Sequence, residues 1–201
     1  GIFVYSTTPD VLLGDTVMFQ GTVAEYNGLT ELKVVSPDPG TYICGIPLPM
    51  PTATTISLPQ ATTTSLEAYE GMLVSLPQTL YVDQNYFQGR YGQIRLSSDS
   101  RMYHPNNGND LGDTVDLNAR RFIVLDDGST VSNPNPVPYY DLAHPLRAGD
   151  TTVAVTGVMD QGAINATSPY ALGYRVHPSA TPAFSQANLR PAAPELIGHD
   201  L

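Results

Sequence analysis

Arg120-Arg121-Phe122-Ile123-Val124-Leu125-Asp126-Asp127-Gly128-Ser129-Thr130 sets two arginines before a short apolar run and two acids behind it. The run is β-branched and aromatic, and the Asp127-Gly128 pair after it tolerates positive φ, so the stretch reads as a strand ending in a turn. Neighbouring side chains of a strand point to opposite faces, which keeps Asp126 and Asp127 from serving one ion or one proton together. The acids are therefore read as strand end and turn, and a calcium ion there would need further oxygens from elsewhere. Any function in the stretch is expected of Arg120 and Arg121 rather than of the acids.

The same strand pattern recurs outward in both directions. Residues 2–5, 16–25, 31–35, 72–82, 93–97, 152–159 and 174–177 combine β-branched or aromatic residues with flanking turn formers. Only 65–70 and 115–121 carry short helical signals. With 18 Pro, 17 Gly and no Trp in 201 residues, the composition is that of a turn-rich all-β protein large enough to bury a core.

Two segments resemble each other. Gly14-Asp15-Thr16-Val17 leads into Gly21-Thr22-Val23, and Gly149-Asp150-Thr151-Thr152-Val153 leads into Gly157-Val158-Met159. A tight turn feeding a strand with an interior glycine fits a strongly bent strand, and its repetition predicts two small barrels with short helical turns. Residues 1–46 would form the first, incomplete at its N-terminus, and 65–184 the second, with long loops. Residues 47–64, with Pro47-Leu48-Pro49-Met50-Pro51 and a Thr-rich run, read as an extended connection.

The formal charge is −10, from 19 acids against 9 bases, of which Lys33 is the one lysine. Such a mean field repels polyphosphate, but Arg90, Arg95, Arg101, Arg120 and Arg121 cluster and leave room for a local basic patch. Tyr81, Tyr86, Phe87, Tyr91 and Tyr103 interleave with Arg90, Arg95 and Arg101. Aromatic faces stack bases of single strands while arginine neutralises phosphate, and the alternative reading is a Tyr-rich sheet with snorkelling arginines.

Asn106-Asn107-Gly108-Asn109-Asp110 with Asp113 is the richest run of oxygen ligands. Asn107, Asn109, Asp110 and Asp113 are candidate calcium ligands, set against the reading of a solvated loop, since the terminal bidentate Glu is missing. Asp116-Leu117-Asn118 matches an Asp-x-Asn element of metal-dependent nucleases but follows no buried strand. His104, His144, His177 and His199 lie far apart without a ligand partner at metal spacing. No Gly-x-Ser-x-Gly elbow or phosphate loop occurs, and Asn165-Ala166-Thr167 is only a glycosylation triplet. Cys44 stands alone, so no intrachain disulfide forms. No stretch approaches the roughly twenty apolar residues that span a bilayer. The chain opens inside a strand pattern, as expected of a mature or trimmed fragment.

Residues 1–5 (Gly-Ile-Phe-Val-Tyr), 11–17 (Val-Leu-Leu-Gly-Asp-Thr-Val) and 21–32, with 66–74, 121–129, 133–139 and 190–195, resemble the OB-fold region that precedes the catalytic domain in secreted bacterial nucleases of the endonuclease/exonuclease/phosphatase superfamily. The resemblance implies two OB-like barrels, extracellular location, and a linker over 185–201 leading to a metal-dependent hydrolase domain of the same parent protein. The Ser-Phe-Asn, Glu, Asp-x-Asn and Ser-Asp-His elements of that domain are not present here as a set, so no catalytic residue carries over and the chain is not expected to be an enzyme itself. In such proteins a strand or two precede the Phe-Val-Tyr segment.

The expected function is thus a non-catalytic OB module that positions nucleic acid, through Tyr86, Arg90, Tyr91, Arg95, Arg101, Arg120 and Arg121, or supports the hydrolase domain. The rival expectation is structural: an open strand edge at residues 1–5 completed by another chain, assembling a layer or filament.

Overall fold

The computed structural model describes residues 1–6, 11–34, 42–45, 47–107, 114–164 and 171–193. The chain is all-β. Its N-terminal part contributes β1 (Phe3–Tyr5), β2 (Val17–Met18), β3 (Gly21–Tyr26), β4 (Leu29–Val34) and β5 (Tyr42–Ile43). Strands β3 and β4 form a hairpin whose two-residue turn, Asn27-Gly28, has φ of 53° and 85°. That is the asparagine-glycine turn whose twist suits a hairpin. Strand β1 lies parallel to β4, and β2 pairs with β5 as a separate ladder.

The remainder contributes β6 (Thr54–Thr55), β7 (Leu73–Leu76), β8 (Leu80–Gln84), α1 (Gln88–Tyr91), β9 (Ile94–Ser98), α2 (Val115–Arg120), β10 (Phe122–Leu125), β11 (Thr151–Thr152), β12 (Val155–Ala163), β13 (Leu172–Pro178) and β14 (Phe184–Ser185). Nine of these strands form one sheet in the order β14-β11-β8-β9-β10-β13-β12-β7-β6. Strands β7 and β8 stand near opposite ends of that order yet are consecutive in the chain, divided only by residues 77–79 at Pro77. The sheet therefore curls on itself. Counting β7 and β8 as halves of one strand, the circuit runs first, second (β9), third (β10), fifth (β13), fourth (β12) and back, with β10 parallel to β13 and the other neighbours antiparallel. The result is a curled, barrel-like sheet.

Alternation explains what fills it. Ile94, Leu96, Ile123, Leu125, Val74, Leu76, Leu80, Val82, Val155, Met159 and Val176 point inward and are at most 1% exposed. Each such side chain contributes roughly 1.5–3 kcal/mol by leaving water. Residues 47–64 are more than an extended connection: β6 pairs with β7, and Ile56 and Leu58 join the core. The amide of Gln78 bonds both the N–H and the C=O of Leu58 at 2.7 Å, which fixes this segment against the barrel.

The repeated Gly-Asp segments form the same turn twice. The Leu12 N–H donates to Asp15 Oδ2 at 2.8 Å and Asp15 N–H donates to Leu12 O at 3.0 Å; Arg147 and Asp150 repeat both bonds at the same lengths. The interior glycines also match in role. A Cβ on Gly21 would lie 2.4 Å from Lys33 O and one on Gly157 2.2 Å from His177 O, so both mark close approach of a partner strand.

Among the described residues the first unit does not close into a barrel. Of its apolar side chains Leu29 is buried, whereas Leu12, Leu13, Val23 and Tyr26 are exposed, too little enclosed surface for a separate core. The β1-β4-β3 sheet instead leans on the second barrel, where Thr30 N–H donates to Glu70 Oε2 at 3.1 Å.

Candidate nucleic-acid interface

Because Ile94, Leu96, Ile123, Leu125, Met159 and Val176 occupy the inward positions, their neighbours form a row on the outer face. Arg95 is opposite Val124, Val124 is beside Arg175, and Arg175 is opposite Asp160. The row crosses second, third, fifth and fourth barrel strands in turn.

At one end, Arg95 holds Asp83 with Nε and Nη2 and lies 5.5 Å from the centre of the Phe122 ring. Arg101 stands 5.4 Å from the Tyr103 ring centre. Arg95, Tyr103, His104, Asn118 and Phe122 line a cleft of about 340 Å³. The loop between β8 and β9 carries a second aromatic group: Tyr86 packs edge-on against Phe87 at 4.9 Å, Phe87 meets Tyr91 at 5.7 Å, and Arg90 lies 5.3 Å from the Tyr91 ring centre. Tyr86 is 77% exposed. Arg95 and Phe87 also line one small recess on β10, which links the two aromatic groups.

Arg120 and Arg121 are not brought to this cleft. Arg120 bonds Asp116 at 2.8 Å and the Gln60 carbonyl at 2.7 Å, and Arg121 is buried, with Nε donating to Asn118 Oδ1 at 3.1 Å. They anchor α2 and the start of β10, whereas Arg90, Arg95 and Arg101 each stand beside an aromatic ring, Arg95 being paired with Asp83 as well. Asp116 and Asn118 are spent in the same anchoring, Asn118 also donating to the Tyr103 carbonyl. The proposed calcium ligands Asn109, Asp110 and Asp113, and the side chain of Asn107, lie outside the described residues. Among the described residues no group of three or more His, Cys, Asp or Glu is placed to hold a metal ion, and no helix is long and apolar enough to cross a membrane.

The other end of the row holds an ionic cluster. Asp126 and Asp127 diverge as strand alternation requires. Asp127 accepts from Ser129 N–H in the turn, while Asp126 is buried and accepts from Gly128 N–H at 2.8 Å and the Gln93 amide at 2.7 Å. Arg175 donates to both oxygens of Asp160, at 2.9 and 2.6 Å, and its Nη1 reaches Asp126 at 3.3 Å. His177 lies between the same acids, with Nε2 2.9 Å from Asp160 and Nδ1 3.5 Å from Asp126. Burial opposes the charged imidazole, but the hydrogen bond to Asp160 and the charges of Asp160 and Asp126 outweigh it and hold the His177 pKa above its ordinary value. Burial likewise opposes the Asp160 carboxylate, and His177 and Arg175 reverse that and hold its pKa below the ordinary range. Asp160 is fully engaged by Arg175 and His177, while His177 Nδ1, 3.5 Å from Asp126, is buried without a hydrogen-bond partner.

Sequence reasoning missed Asp160, Arg175 and His177. The available signal was the i, i+2 spacing of Arg175 and His177 on one expected strand, which places both on one face; the register that sets Asp160 opposite Arg175 is not local information. Gln93 ties the two ends together, standing beside Arg95 and donating to Asp126 and to the Ala163 carbonyl. Beyond the cluster, a cleft of about 580 Å³ opens between the barrel and the β1-β4-β3 sheet. No protein family, curated protein or solved structure matches this chain.

Proposed function

We propose that this chain is a non-catalytic OB-like module that binds single-stranded nucleic acid along the outer face of its barrel. One observation carries the reading: Tyr86, Phe87, Arg90 and Tyr91 occupy the loop between the first and second barrel strands, and Arg95 and Phe122 stand on the second and third. That loop and those strands are where OB barrels take oligonucleotides. Aromatic faces supply sequence-tolerant stacking, and the arginines beside them neutralise phosphate locally despite the charge of −10. The resemblance noted for residues 1–5, 21–32 and 121–129 implies, as part of this proposal, an extracellular role of presenting a strand to a hydrolase domain of the same parent protein.

The test is binding of a labelled single strand to the intact chain and to a variant with Tyr86→Ala, Arg90→Ala and Tyr91→Ala. Each stacked base is worth roughly 1–3 kcal/mol, so loss of two rings weakens binding about 30-fold or more. Loss of one phosphate contact lowers the log-log salt slope by about 0.7. Absence of binding by the intact chain at low salt, with and without calcium, sinks the reading.

A second reading has its own observation. Val11, Leu12, Leu13, Met18 and Val23 are all exposed in the N-terminal part, and β1 and β3 are edge strands. Assembly of copies through those edges gives a structural layer or filament. Light scattering separates the two: a monomer at high protein concentration excludes assembly.

A further inference from the structure

The cleft between the β1-β4-β3 sheet and the barrel contains a carboxylate without a donor. Alternation along β4 turns Leu29, Glu31 and Lys33 toward the barrel, and Glu31 lines the cleft while only 8% exposed. Asp126 and Asp160 across from it are satisfied by Arg175, His177 and Gln93. Glu31 forms no side-chain hydrogen bond or ion pair among the described residues. Though the residue is nine-tenths buried, its carboxylate oxygens open onto the cleft, where N–H groups of a ligand can take the place of water.

The surrounding charges restrict which ligand. Lys33 and Arg175 line the same cleft and oppose a cation. Glu31, Asp126 and Asp160 oppose a phosphate. A neutral, flat group with N–H donors suits both, and Phe3 and Tyr26 at the cleft wall give it faces to stack on. Among the nucleobases, guanine alone offers two adjacent donors, N1–H and the 2-amino group, to the two oxygens of one carboxylate. Adenine and cytosine set a donor beside a ring acceptor, and thymine flanks its single N–H with carbonyls that a carboxylate repels. A volume of about 580 Å³ holds a purine.

We propose that this inter-sheet cleft is a base pocket selective for guanine, with Glu31 accepting from N1–H and the 2-amino group. The inference rests on the single-strand reading above, since the cleft adjoins the arginine and aromatic face through Gln93. It adds sequence preference to an otherwise sequence-tolerant groove.

The experiment is fluorescence anisotropy with labelled oligothymidylates of about eight nucleotides, a length within the range one OB fold covers, bearing a single central guanine, hypoxanthine or adenine. The intact chain is expected to bind the guanine strand at least about tenfold more tightly than the adenine strand, with hypoxanthine between them because it lacks the 2-amino group. In Glu31→Gln, one oxygen becomes a donor, and the guanine-to-adenine ratio falls to below about twofold by loss of that discrimination. Equal affinity of the intact chain for guanine and adenine strands, with oligothymidylate binding retained, overturns the pocket and leaves the single-strand reading standing. Failure to bind any of the strands overturns the reading on which it rests.

Discussion

Replacing Arg175 with methionine removes the cation that holds Asp126 and Asp160 on the outer face of the barrel while keeping a side chain of similar reach. Three contacts go: the Nε and Nη2 bonds to Asp160 at 2.9 and 2.6 Å, and the Nη1 contact with Asp126 at 3.3 Å. The side chains of Arg175, Asp160 and Asp126 are 20%, 13% and 5% exposed, so water replaces the lost donors poorly. Breaking a buried pair by removing one partner costs about 3–5 kcal/mol, and His177, which remains beside both acids, places the expected loss near the lower bound. For a chain of this size about 3 kcal/mol lowers Tm by roughly 6–12 °C. Thermal and guanidinium unfolding followed by circular dichroism reads it. Adding Asp160→Asn to Arg175→Met should cost less than the sum of the two single changes, since the second removes the charge that the first left bare. A Tm within about 2 °C of the parent, or strict additivity in the double variant, would refute the assignment of Arg175 as the keystone of the cluster.

The remaining predictions concern pH and close packing. His177 has a folded pKa above its ordinary 6.5, so its contribution to stability is complete below that value and is lost as pH rises through the folded pKa. Asp160 has a folded pKa below 3.8, so its contribution is present above that value and is lost as pH falls through the folded pKa. Urea unfolding at about pH 5.5 and about pH 8.5 should show the chain more stable at the lower pH, by about 1.4 kcal/mol per unit of pKa elevation, and His177→Gln should remove that difference. An unchanged difference in the variant would assign it to another group. Gly157→Ala puts a methyl 2.2 Å from the His177 carbonyl oxygen and 2.7 Å from Pro178 Cα, both backbone atoms that yield only by opening β12 from β13. It should cost about 1–3 kcal/mol or more, whereas Gly89→Ala in α1, with open space around the new methyl, should be neutral or stabilising by up to about 1 kcal/mol. Equal effects of the two changes in chemical denaturation would contradict the packing argument.

The barrel was legible in the sequence where the signal was local. Phe122–Leu125 alternates over a turn-forming Asp-Gly pair and is a strand with that turn. The two Gly-Asp segments look alike in sequence and make the same pair of hydrogen bonds in the fold. The tyrosines and arginines of residues 86–95 also lie together, because a single loop and its following strand carry them. What was not legible depended on register and docking. Asp126 looked like a turn acid alone because Arg175 and His177 reach it from a strand some fifty residues away, 49 in the case of Arg175. Arg120 and Arg121 read as binding residues because the Gln60 carbonyl that Arg120 meets and the burial of Arg121 are set by how the connection and α2 pack, although the Asp116 and Asn118 contacts are local. Thr54–Thr55, Ile56 and Leu58 read as linker since two β-branched residues and two aliphatics among prolines carry too short a period to announce a strand.

The most direct test of the central claim is amide chemical-shift mapping of the intact chain during titration with a single-stranded oligonucleotide. Binding on the outer face predicts the largest changes in residues 85–98 and 122–126, fading as salt rises, with residues 54–58 unmoved. Saturating strand that leaves residues 85–98 unshifted, or that moves only residues remote from β9 and β10, would contradict it.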